Sequence, residues 1–192
     1  MGAGWVTIEP MALTIRPAGP DDFEAVGEIT VRAYLDGGHL PADAEYAGTL
    51  ADARSRAEGA ELWVAVDDAD GRVVGSVTFA APGSEFHEIA TADEGDVRML
   101  AVDGTARGRG IGDALMLRCV ERARDLGLVA LALSTQPSMH AAHRIYERMG
   151  FERAPERDWS PAPGITLLAY RLDLSPSARP QRSIRPAGSG GR

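Results

Sequence analysis

The sequence predicts a mixed α/β domain in which helices flank a central β-sheet. Apolar runs of strand length alternate with amphipathic segments of helix length, and their order along the chain is βααββ, then βαβα, then a last strand. The middle of that order is a strand–helix–strand crossover, which is typical of a sheet covered by helices. The chain has 192 residues, of which 44% are hydrophobic, and this suffices for one core.

We expect this domain to span residues 14–174. Residues 1–13 would form an N-terminal extension. Residues 175–192, which are rich in Pro, Ser, Gly and Arg, would form a disordered tail. Such a composition offers too little apolar surface to offset the entropy lost when a chain becomes ordered.

The first half of the domain is predicted to contain three strands and two helices. The strands lie at 14–17, 61–67 and 73–80, and the helices run from about 21 to 34 and from 41 to about 58. The first strand stops at Pro17, which has no N–H to donate to a neighbouring strand. The second helix can open at Pro41. The Asp70-Gly71 pair suits the tight turn of a hairpin between the second and third strands.

The second half is predicted to contain three more strands and two more helices. The strands lie at 97–102, 128–134 and 165–174, and the helices run over 111–126 and from 138 or 139 to 149. The apolar residues of the first of these helices fall on one stripe, as in a helix that packs on a sheet. Gly150 follows the second helix, at the position where a glycine commonly ends a helix.

The composition limits the classes of partner. The formal net charge is −8, and the tail carries four Arg and no acid, so the rest of the chain is more acidic still. Because an acidic surface repels phosphates, we expect no nucleic acid partner. No stretch approaches the roughly 20 apolar residues of a membrane span, and the first ten residues lack the features of a signal peptide. We therefore expect a cytoplasmic protein that binds no membrane.

The segment between the crossover strand and its helix has the features of a phosphate-binding loop. Gly108, Gly110 and Gly112 lie at alternate positions where the helix begins. Glycine backbone can approach a ligand closely, and N–H groups converge at a helix N-terminus, where the dipole favours an anion. A diphosphate suits such a loop, and Arg107 and Arg109 would add positive charge. The alternative is a glycine-rich connection that binds nothing.

Two familiar phosphate motifs do not match this loop. A Walker A loop ends in Gly-Lys-Ser or Gly-Lys-Thr, and the chain contains no Lys. A dinucleotide fingerprint needs the pattern G-x-G-x-x-G. Here the third glycine comes one residue early, and Asp113 occupies the position that the fingerprint requires.

The loop resembles a signature of the GNAT (GCN5-related N-acetyltransferase) superfamily. Arg107-x-x-Gly110-x-Gly112 matches the family's R/Q-x-x-G-x-G/A motif, and Leu100-Ala101-Val102 matches the end of its fourth strand. A second segment, at 139–151, looks like the family's helix motif that ends in L-Y-E-K-x-G-F. The resemblance covers about residues 14–174 and implies the GNAT-like, acyl-CoA N-acyltransferase fold.

This resemblance implies acetyl-CoA as the donor, with no metal. The main chain of Leu100, Ala101 and Val102 would pair with the pantetheine arm of acetyl-CoA. Backbone amides would hold the pyrophosphate beside the basic side chains of the loop, and they belong to Gly108, Arg109, Gly110, Ile111, Gly112 and Asp113. The sequence departs from the family at Met139, where an Asn often contacts pantetheine, and this leaves the local contacts open.

Within the resemblance, Tyr146 is the expected general acid. An amine that attacks a thioester forms a tetrahedral intermediate, and a nearby hydroxyl can protonate the CoA thiolate as it leaves. By helical spacing, Tyr146 shares a face with Met139, Ala142 and Met149. The same spacing suits a core tyrosine whose hydroxyl merely finds a partner, and that alternative stays open.

The amine arrives as a cation and must lose a proton before it attacks. The loop from 85 to 96 supplies five acids and no basic residue other than His87. Glu94 and Asp96 lie just before the strand that leads to Leu100, and relatives often use an acid near this position. Either carboxylate could be the general base. The alternative is that both belong to a solvated acidic loop.

The resemblance thus predicts an acetyl-CoA-dependent N-acetyltransferase that acts on a primary amine by direct attack. The acceptor could be an amino acid, a polyamine, an aminoglycoside-like drug or a protein N-terminus, and a homodimer would be compatible with each. A rival hypothesis is a non-catalytic acyl-CoA-binding or regulatory module of the same fold. His87, His140 and His143 do not form a set of metal ligands.

Overall fold

The computed structural model describes residues 12–39, 46–162 and 164–175. The expected N-terminal extension and C-terminal tail therefore lie almost wholly outside the described residues. The described chain forms an eight-stranded sheet. Its strands are β1 (Leu13–Pro17), β2 (Glu61–Asp67), β3 (Val73–Ala80), β4 (Glu94–Val102), β5 (Ala130–Thr135), β6 (Glu152–Arg153), β7 (Trp159–Ala162) and β8 (Ile165–Asp173).

Five α-helices cover the two faces of this sheet in the described part of the chain. They are α1 (Phe23–Asp36), α2 (Tyr46–Ala51), α3 (Ala53–Gly59), α4 (Ile111–Asp125) and α5 (His140–Met149). Short 3-10 helices lie at Pro20–Asp22, Gly104–Ala106 and Pro155–Arg157. Among the described residues, no helix combines the length and the apolar character that a membrane crossing needs.

The sheet is mixed, as the sequence predicts. Its strand order is β1-β2-β3-β4-β5-β8-β6, and β7 pairs with β8. Neighbouring strands are antiparallel except β4 and β5, which are parallel and are joined through α4. A parallel pair needs a crossover connection, so this pair is the strand–helix–strand unit predicted from the sequence.

Alternate residues of the strands serve different faces of the sheet. Val77 and Phe79 of β3 belong to the main apolar core, which includes residues of α4. Leu62 and Val64 of β2 pack against Val26 of α1 on the opposite face. This period of two is that of a strand buried on both sides. We refer to the second face as the α1 side of the sheet.

The structure differs from the prediction in the first half of the chain. The predicted second helix is two helices, because the Asp52 carboxylate accepts a hydrogen bond of 3.0 Å from the Ser55 N–H and so caps α3. The predicted start of that helix, at Pro41, lies outside the described residues. β4 begins at Glu94 rather than at residue 97, since its first residues pair with β5. The short strands β6 and β7 occupy a predicted loop, where they pair with β8.

Candidate functional site

β4 and β5 pair only over the first part of their length. The parallel register runs from Glu94 opposite Ala130 to Val97 opposite Leu133. β4 nevertheless continues to Val102. The main chain of its last five residues has no strand partner on the β5 side, so a gap opens in the middle of the sheet. Unpaired backbone donors and acceptors there are available to a ligand.

A bulge in β4 lies where this gap begins. β3 pairs Thr78 with Arg98 and Ser76 with Ala101, so two residues of β4 stand opposite one residue of β3. One of the two is Met99, which has a φ of 52°. A left-handed conformation costs a non-glycine residue roughly 1–2 kcal/mol. The chain therefore holds a strained, bent strand at the edge of the gap.

A cleft of about 650 Å³ occupies the gap. The last residues of β4, from Leu100 to Val102, line one wall. The first part of α5 lines the opposite wall through Met139, Ala142, Ile145 and others. The glycine loop at the start of α4 closes one end. The structure thus brings the two sequence motifs together around one space.

The glycine loop has the backbone conformation that its sequence indicates. Gly108 has a φ of 76° and Gly110, the N-cap of α4, has a φ of 78°. A Cβ at either position would meet no atom within 4 Å, so the space beside both is open. A Cβ on Gly112 would lie 2.7 Å from the Ile145 side chain, so this glycine lets α4 and α5 approach closely.

Positive charge surrounds the cleft at this end. Arg107 and Arg144 line it, and neither makes an ion pair with the described residues. Arg148 also lines it and binds both carboxylate oxygens of Asp113, at 2.8 and 2.9 Å. The guanidinium of Arg109, which the sequence predicts among the ligand-binding residues, lies 3.9 Å from the Asp67 carboxylate. Free backbone amides, left-handed glycines and unpaired Arg side chains fit a guest with a diphosphate.

The connector after α1 reaches across the cleft to the loop between β5 and α5. The Gln136 side-chain amide donates to the His39 carbonyl at 2.9 Å, and His39 Nδ1 lies 2.9 Å from Ser138 Oγ. His39 and Tyr34 both line the cleft. Burial and the nearby positive charge of Arg107 lower the pKa of His39, so its imidazole is neutral at pH 7. This bridge closes part of the opening towards solvent.

Tyr146 is buried beside the α5 wall. It is 6% exposed, and its ring lies 5.8 Å from that of Phe151 and 6.0 Å from that of Tyr170. Burial raises its pKa, with a contribution from Tyr34. Its hydroxyl makes no hydrogen bond to any described residue. Tyr146 is therefore a neutral donor without an acceptor among the described residues, and it directly follows Ile145, which lines the cleft.

Glu94 is bound in a buried cluster of charges away from the cleft. It is 2% exposed, and its carboxylate contacts Arg157 at 2.5 Å and Arg171 at 2.6 Å. Burial opposes its ionisation, but hydrogen bonds from both guanidinium groups and the Thr91 N–H lower its pKa to about 2. The cluster ties β4 to β8, and Glu94 is not among the residues that line the β4–β5 cleft. This geometry suits a structural ion pair rather than a base.

Substitution of Glu94 should therefore act on stability. Glu94→Gln leaves two Arg without their carboxylate, and we expect the free energy of unfolding to fall by about 1–3 kcal/mol. The ordinary pKa of 4.5 falls to about 2 on folding, so the stabilisation is complete above pH 4.5 and is lost as pH falls towards 2. Denaturant titrations across that range should show this loss in the wild type and not in the variant.

The exposed Glu156, whose carboxylate lies 4.0 Å from Arg157, offers a matched control. Glu156→Gln removes a carboxylate beside the same guanidinium at a solvated position, where ion pairs contribute little. Its stability should remain near that of the wild type. An equal loss for the two variants would contradict the structural role of Glu94.

Asp96 lies on the α1 side of the sheet, close to a second group of charges. It is 1% exposed, and its Oδ2 accepts hydrogen bonds from the Glu88 N–H at 2.9 Å and the Ile89 N–H at 2.8 Å. Burial raises its pKa, and the backbone hydrogen bonds partly offset that effect. Glu88 in turn forms an ion pair of 3.1 Å with Arg98. Asp96 thus holds the loop that carries Glu88.

The sequence did not indicate several residues that the structure brings to the cleft. Tyr34 and His39 come from the end of α1 and the connector after it, and only the tertiary fold carries them to β4. Arg144 and Arg148 could have been found, because they are spaced by four on α5 and so lie on one side of the helix that carries Tyr146.

A model of the acetyltransferase (GNAT) family matches residues 23–151. This match spans β4, the glycine loop, α4, β5 and α5, and so it includes the walls of the cleft.

Individual relatives share this part of the chain. The sequence is 31% identical over 184 residues to a mycothiol acetyltransferase of Cellulomonas flavigena, covering 88% of this chain and 50% of that protein. It is 39% identical over 117 residues to the N-acetylaspartate synthetase of Rattus norvegicus, covering 59% of this chain and 36% of that protein. The chain therefore spans half or less of the length of these curated relatives.

A solved structure shares the fold. A Salmonella typhimurium protein, crystallised with its cofactor acetyl-CoA, superposes with a TM-score of 0.62 at 23% identity. The match covers 89% of this chain and 99% of that one. At this identity the likeness establishes the shared fold.

Proposed function

Because the chain belongs to the acetyltransferase (GNAT) family, we propose that it transfers the acetyl group of acetyl-CoA to a primary amine. The amine attacks the thioester carbonyl, a tetrahedral intermediate forms, and CoA leaves as its thiolate. The observation that carries this proposal is the separation of β4 from β5 directly beside the glycine loop. An amide-rich arm can lie along the free edge of β4 while a diphosphate binds at the start of α4.

The donor would be held mainly by backbone. Main-chain groups of Leu100, Ala101 and Val102 are free on the cleft side and would pair with pantetheine. One of their N–H groups would also face the oxyanion of the intermediate, where a fixed donor stabilises developing charge. The left-handed Gly108 and Gly110 would bring backbone amides to the pyrophosphate. The Met139 side chain lines the cleft where many relatives have Asn, and it can offer only an apolar contact.

Tyr146 is the proposed general acid. Its raised pKa keeps the hydroxyl protonated at neutral pH, and the hydroxyl has no acceptor among the described residues. It can therefore donate its proton to the departing thiolate. The half-buried Tyr34, which lines the cleft and contributes to the raised pKa of Tyr146, offers a second phenolic hydroxyl.

For the base we favour Asp96 over Glu94. Glu94 is committed to two Arg and has a pKa of about 2, which makes it a poor proton acceptor. The pKa of Asp96 is raised by burial, and this carboxylate lies two residues before Arg98 on the strand that reaches the cleft. A bridging water would complete the path from the amine.

The pH dependence tests this choice. Because a base must be deprotonated to act, the kcat/KM of the wild type should fall as pH drops through the pKa of the base. Asp96→Asn should lower kcat/KM and lose that low-pH limb. Asp93→Asn, in the same loop, changes a carboxylate that accepts a hydrogen bond from the Thr91 hydroxyl, and it should keep the limb. If Asp96→Asn keeps the limb, the neutral amine arises without this carboxylate.

The names of the relatives support a small amine as acceptor. Two of them are named mycothiol acetyltransferase and N-acetylaspartate synthetase. The chain spans half or less of those proteins, so its own acceptor must be argued from its own residues.

Thermal denaturation tests donor binding. A ligand that binds only the folded state stabilises it by about 2.7 kcal/mol at one hundred times its Kd. Acetyl-CoA should therefore raise the Tm of the protein, and ATP at the same concentration should raise it far less. If acetyl-CoA leaves the Tm unchanged at millimolar concentration, the proposed function is wrong.

A further inference from the structure

A group of charged and polar side chains lies on the α1 side of the sheet, next to the bulge in β4. We call it the α1-side cluster and define it as Tyr34, Tyr46, Arg56, Thr78, Glu88 and Arg98. Thr78 and Arg98 are direct partners across β3 and β4, so they share this face. Neither the glycine loop nor the proposed acid belongs to the cluster.

Arg56 is the most unusual member. It is 0% exposed, and its Nη2 donates to the Leu50 carbonyl at 3.0 Å and the Thr30 hydroxyl at 3.4 Å. Its Nη1 is buried without a hydrogen-bond partner, and in the described part of the chain Arg56 forms no ion pair. A buried cation without an anion is costly and creates a strong positive potential around it.

A second buried group in the cluster also lacks a partner. The Thr78 hydroxyl is fully buried and makes no hydrogen bond to the described residues. Ser76 Oγ, two residues away on the same face of β3, is buried without a partner among the described residues as well. Buried polar groups are nearly always paired, so these groups and the Arg56 charge favour an anion on this side of the sheet, and a carboxylate accepts several hydrogen bonds.

Arg98 is the member that a guest can reach. Its guanidinium is 21% exposed and contacts Glu88 at 3.1 Å, and this Glu88 carboxylate is 32% exposed. Burial raises the pKa of the Tyr34 and Tyr46 hydroxyls, and the nearby charge of Arg98 partly offsets this effect. The two rings lie 6.5 Å apart. A half-exposed ion pair of this kind contributes little to stability, so an incoming carboxylate can replace Glu88 at small cost.

Tyr34 connects the cluster to the β4–β5 cleft. It lines the cleft together with Leu100, and it is also packed with Met99 in the apolar group beneath the cluster. Arg98 and Leu100 are two residues apart on β4, or roughly 6 Å at about 3.3 Å per residue. A small acceptor can therefore span from the proposed position of the thioester to the guanidinium.

We propose that the acceptor is an α-amino acid, whose amine faces the cleft at Leu100 while its carboxylate binds Arg98 beneath Tyr34 and Tyr46. This inference rests on the proposed acetyl transfer and adds the class of acceptor. Polyamines and aminoglycosides carry only positive charge near the reacting amine, and Arg98 and Arg56 would repel them. A protein N-terminus has an amide in place of the carboxylate and would leave Arg98 without its new partner.

The test compares matched acceptors. Standard L-α-amino acids, their α-amides, spermidine and kanamycin are each incubated with the protein and acetyl-CoA, and free CoA thiol is followed. We expect kcat/KM for the best amino acid to exceed that for its own α-amide by about 30-fold or more, because the amide loses the charge-assisted hydrogen bonds to Arg98. Spermidine and kanamycin should be poorer still.

Variants at Arg98 give the second readout. Arg98→Gln should abolish the preference for the acid over the amide while the KM for acetyl-CoA stays unchanged. Arg98→Lys should restore part of the preference, because it returns the charge without the planar fork of Arg. Arg72→Gln, on the exposed hairpin between β2 and β3, should behave as the wild type. A merely structural role of Arg98 would lower both rates together and leave their ratio unchanged.

The outcomes separate this inference from the proposed function. Equal rates for the acid and the amide, or a preference for spermidine, kanamycin or the amide, would overturn the inference while acetyl transfer stands. An unchanged ratio in Arg98→Gln would overturn the role of Arg98. Failure to release thiol with every acceptor, in protein whose Tm acetyl-CoA raises, would overturn both proposals and favour a non-catalytic acyl-CoA-binding module.

Discussion

Gly110→Asp is expected to abolish the rise in Tm that acetyl-CoA causes. Gly110 caps α4 with a φ of 78°, and the space beside its Cα is open. An Asp there would strain the backbone and direct a carboxylate to the point where the pyrophosphate should bind, so like charges would repel. The shift of about 2.7 kcal/mol expected of the wild type at one hundred times its Kd should vanish.

Gly127→Asp is the matched control for backbone strain. Gly127 follows α4 with a φ of 70°, and a Cβ there would also meet no atom within 4 Å. It lies at the other end of the helix from the cleft. This variant should lose similar intrinsic stability and keep the full response to acetyl-CoA. If folded Gly110→Asp responds as strongly as Gly127→Asp, the diphosphate binds elsewhere.

Gly112 is a less clean site for the same experiment. Its missing Cβ makes room for Ile145 at 2.7 Å, so any larger residue forces α4 and α5 apart. A loss of binding in Gly112→Asp would combine a packing defect with a charge effect. Gly110→Asp creates no such packing defect, because the space beside Gly110 is open.

Tyr146→Phe should lower kcat by roughly 10²- to 10⁴-fold, the usual contribution of a positioned proton donor. The substitution removes one oxygen that has no hydrogen-bond partner among the described residues. The ring contacts with Phe151 and Tyr170, at 5.8 and 6.0 Å, should remain. We therefore expect the Tm and its response to acetyl-CoA to change little. Steady-state rates of thiol release, with the Tm measured in parallel, check the prediction.

Tyr170→Phe provides the comparison, because it removes the same atom from the same aromatic group. Its kcat should stay near that of the wild type. A Tyr146→Phe variant with unchanged kcat would make Tyr146 a core residue, which is the alternative its helical spacing also allows. Tyr34, the hydroxyl that lines the cleft, would then be tested as the acid in the same way.

The parts of the fold that could be predicted from the sequence depend on local chemistry. β2, β3 and their turn follow from two apolar runs and an Asp-Gly pair, and the observed bounds agree. The glycine loop could also be predicted from the sequence, because left-handed backbone at Gly108 and Gly110 favours glycine. The break at Asp52 was missed, since a capping carboxylate looks the same in sequence as a solvated one.

The part of the site that could not be predicted from the sequence depends on which separate segments of the chain meet in the fold. Glu94 and Asp96 are two residues apart in a strand, and both would be expected to point the same way. Their surroundings nevertheless differ, because Arg157 and Arg171 come from the far end of the chain to bind Glu94 and not Asp96. In the sequence Arg56 looks like an ordinary exposed helix residue, but in the structure it is fully buried. No local pattern reports such contacts.

The most direct test of the central claim follows the acetyl group itself. The protein is incubated with acetyl-CoA labelled with ¹³C in the acetyl group and with the same panel of L-α-amino acids, their α-amides, spermidine and kanamycin, and both products are measured by mass spectrometry. Acetyl transfer predicts a labelled N-acetyl product of at least one acceptor in an amount equal to the free CoA released, and none with Gly110→Asp. Release of CoA with the label recovered only as acetate, or no release at all, would contradict it.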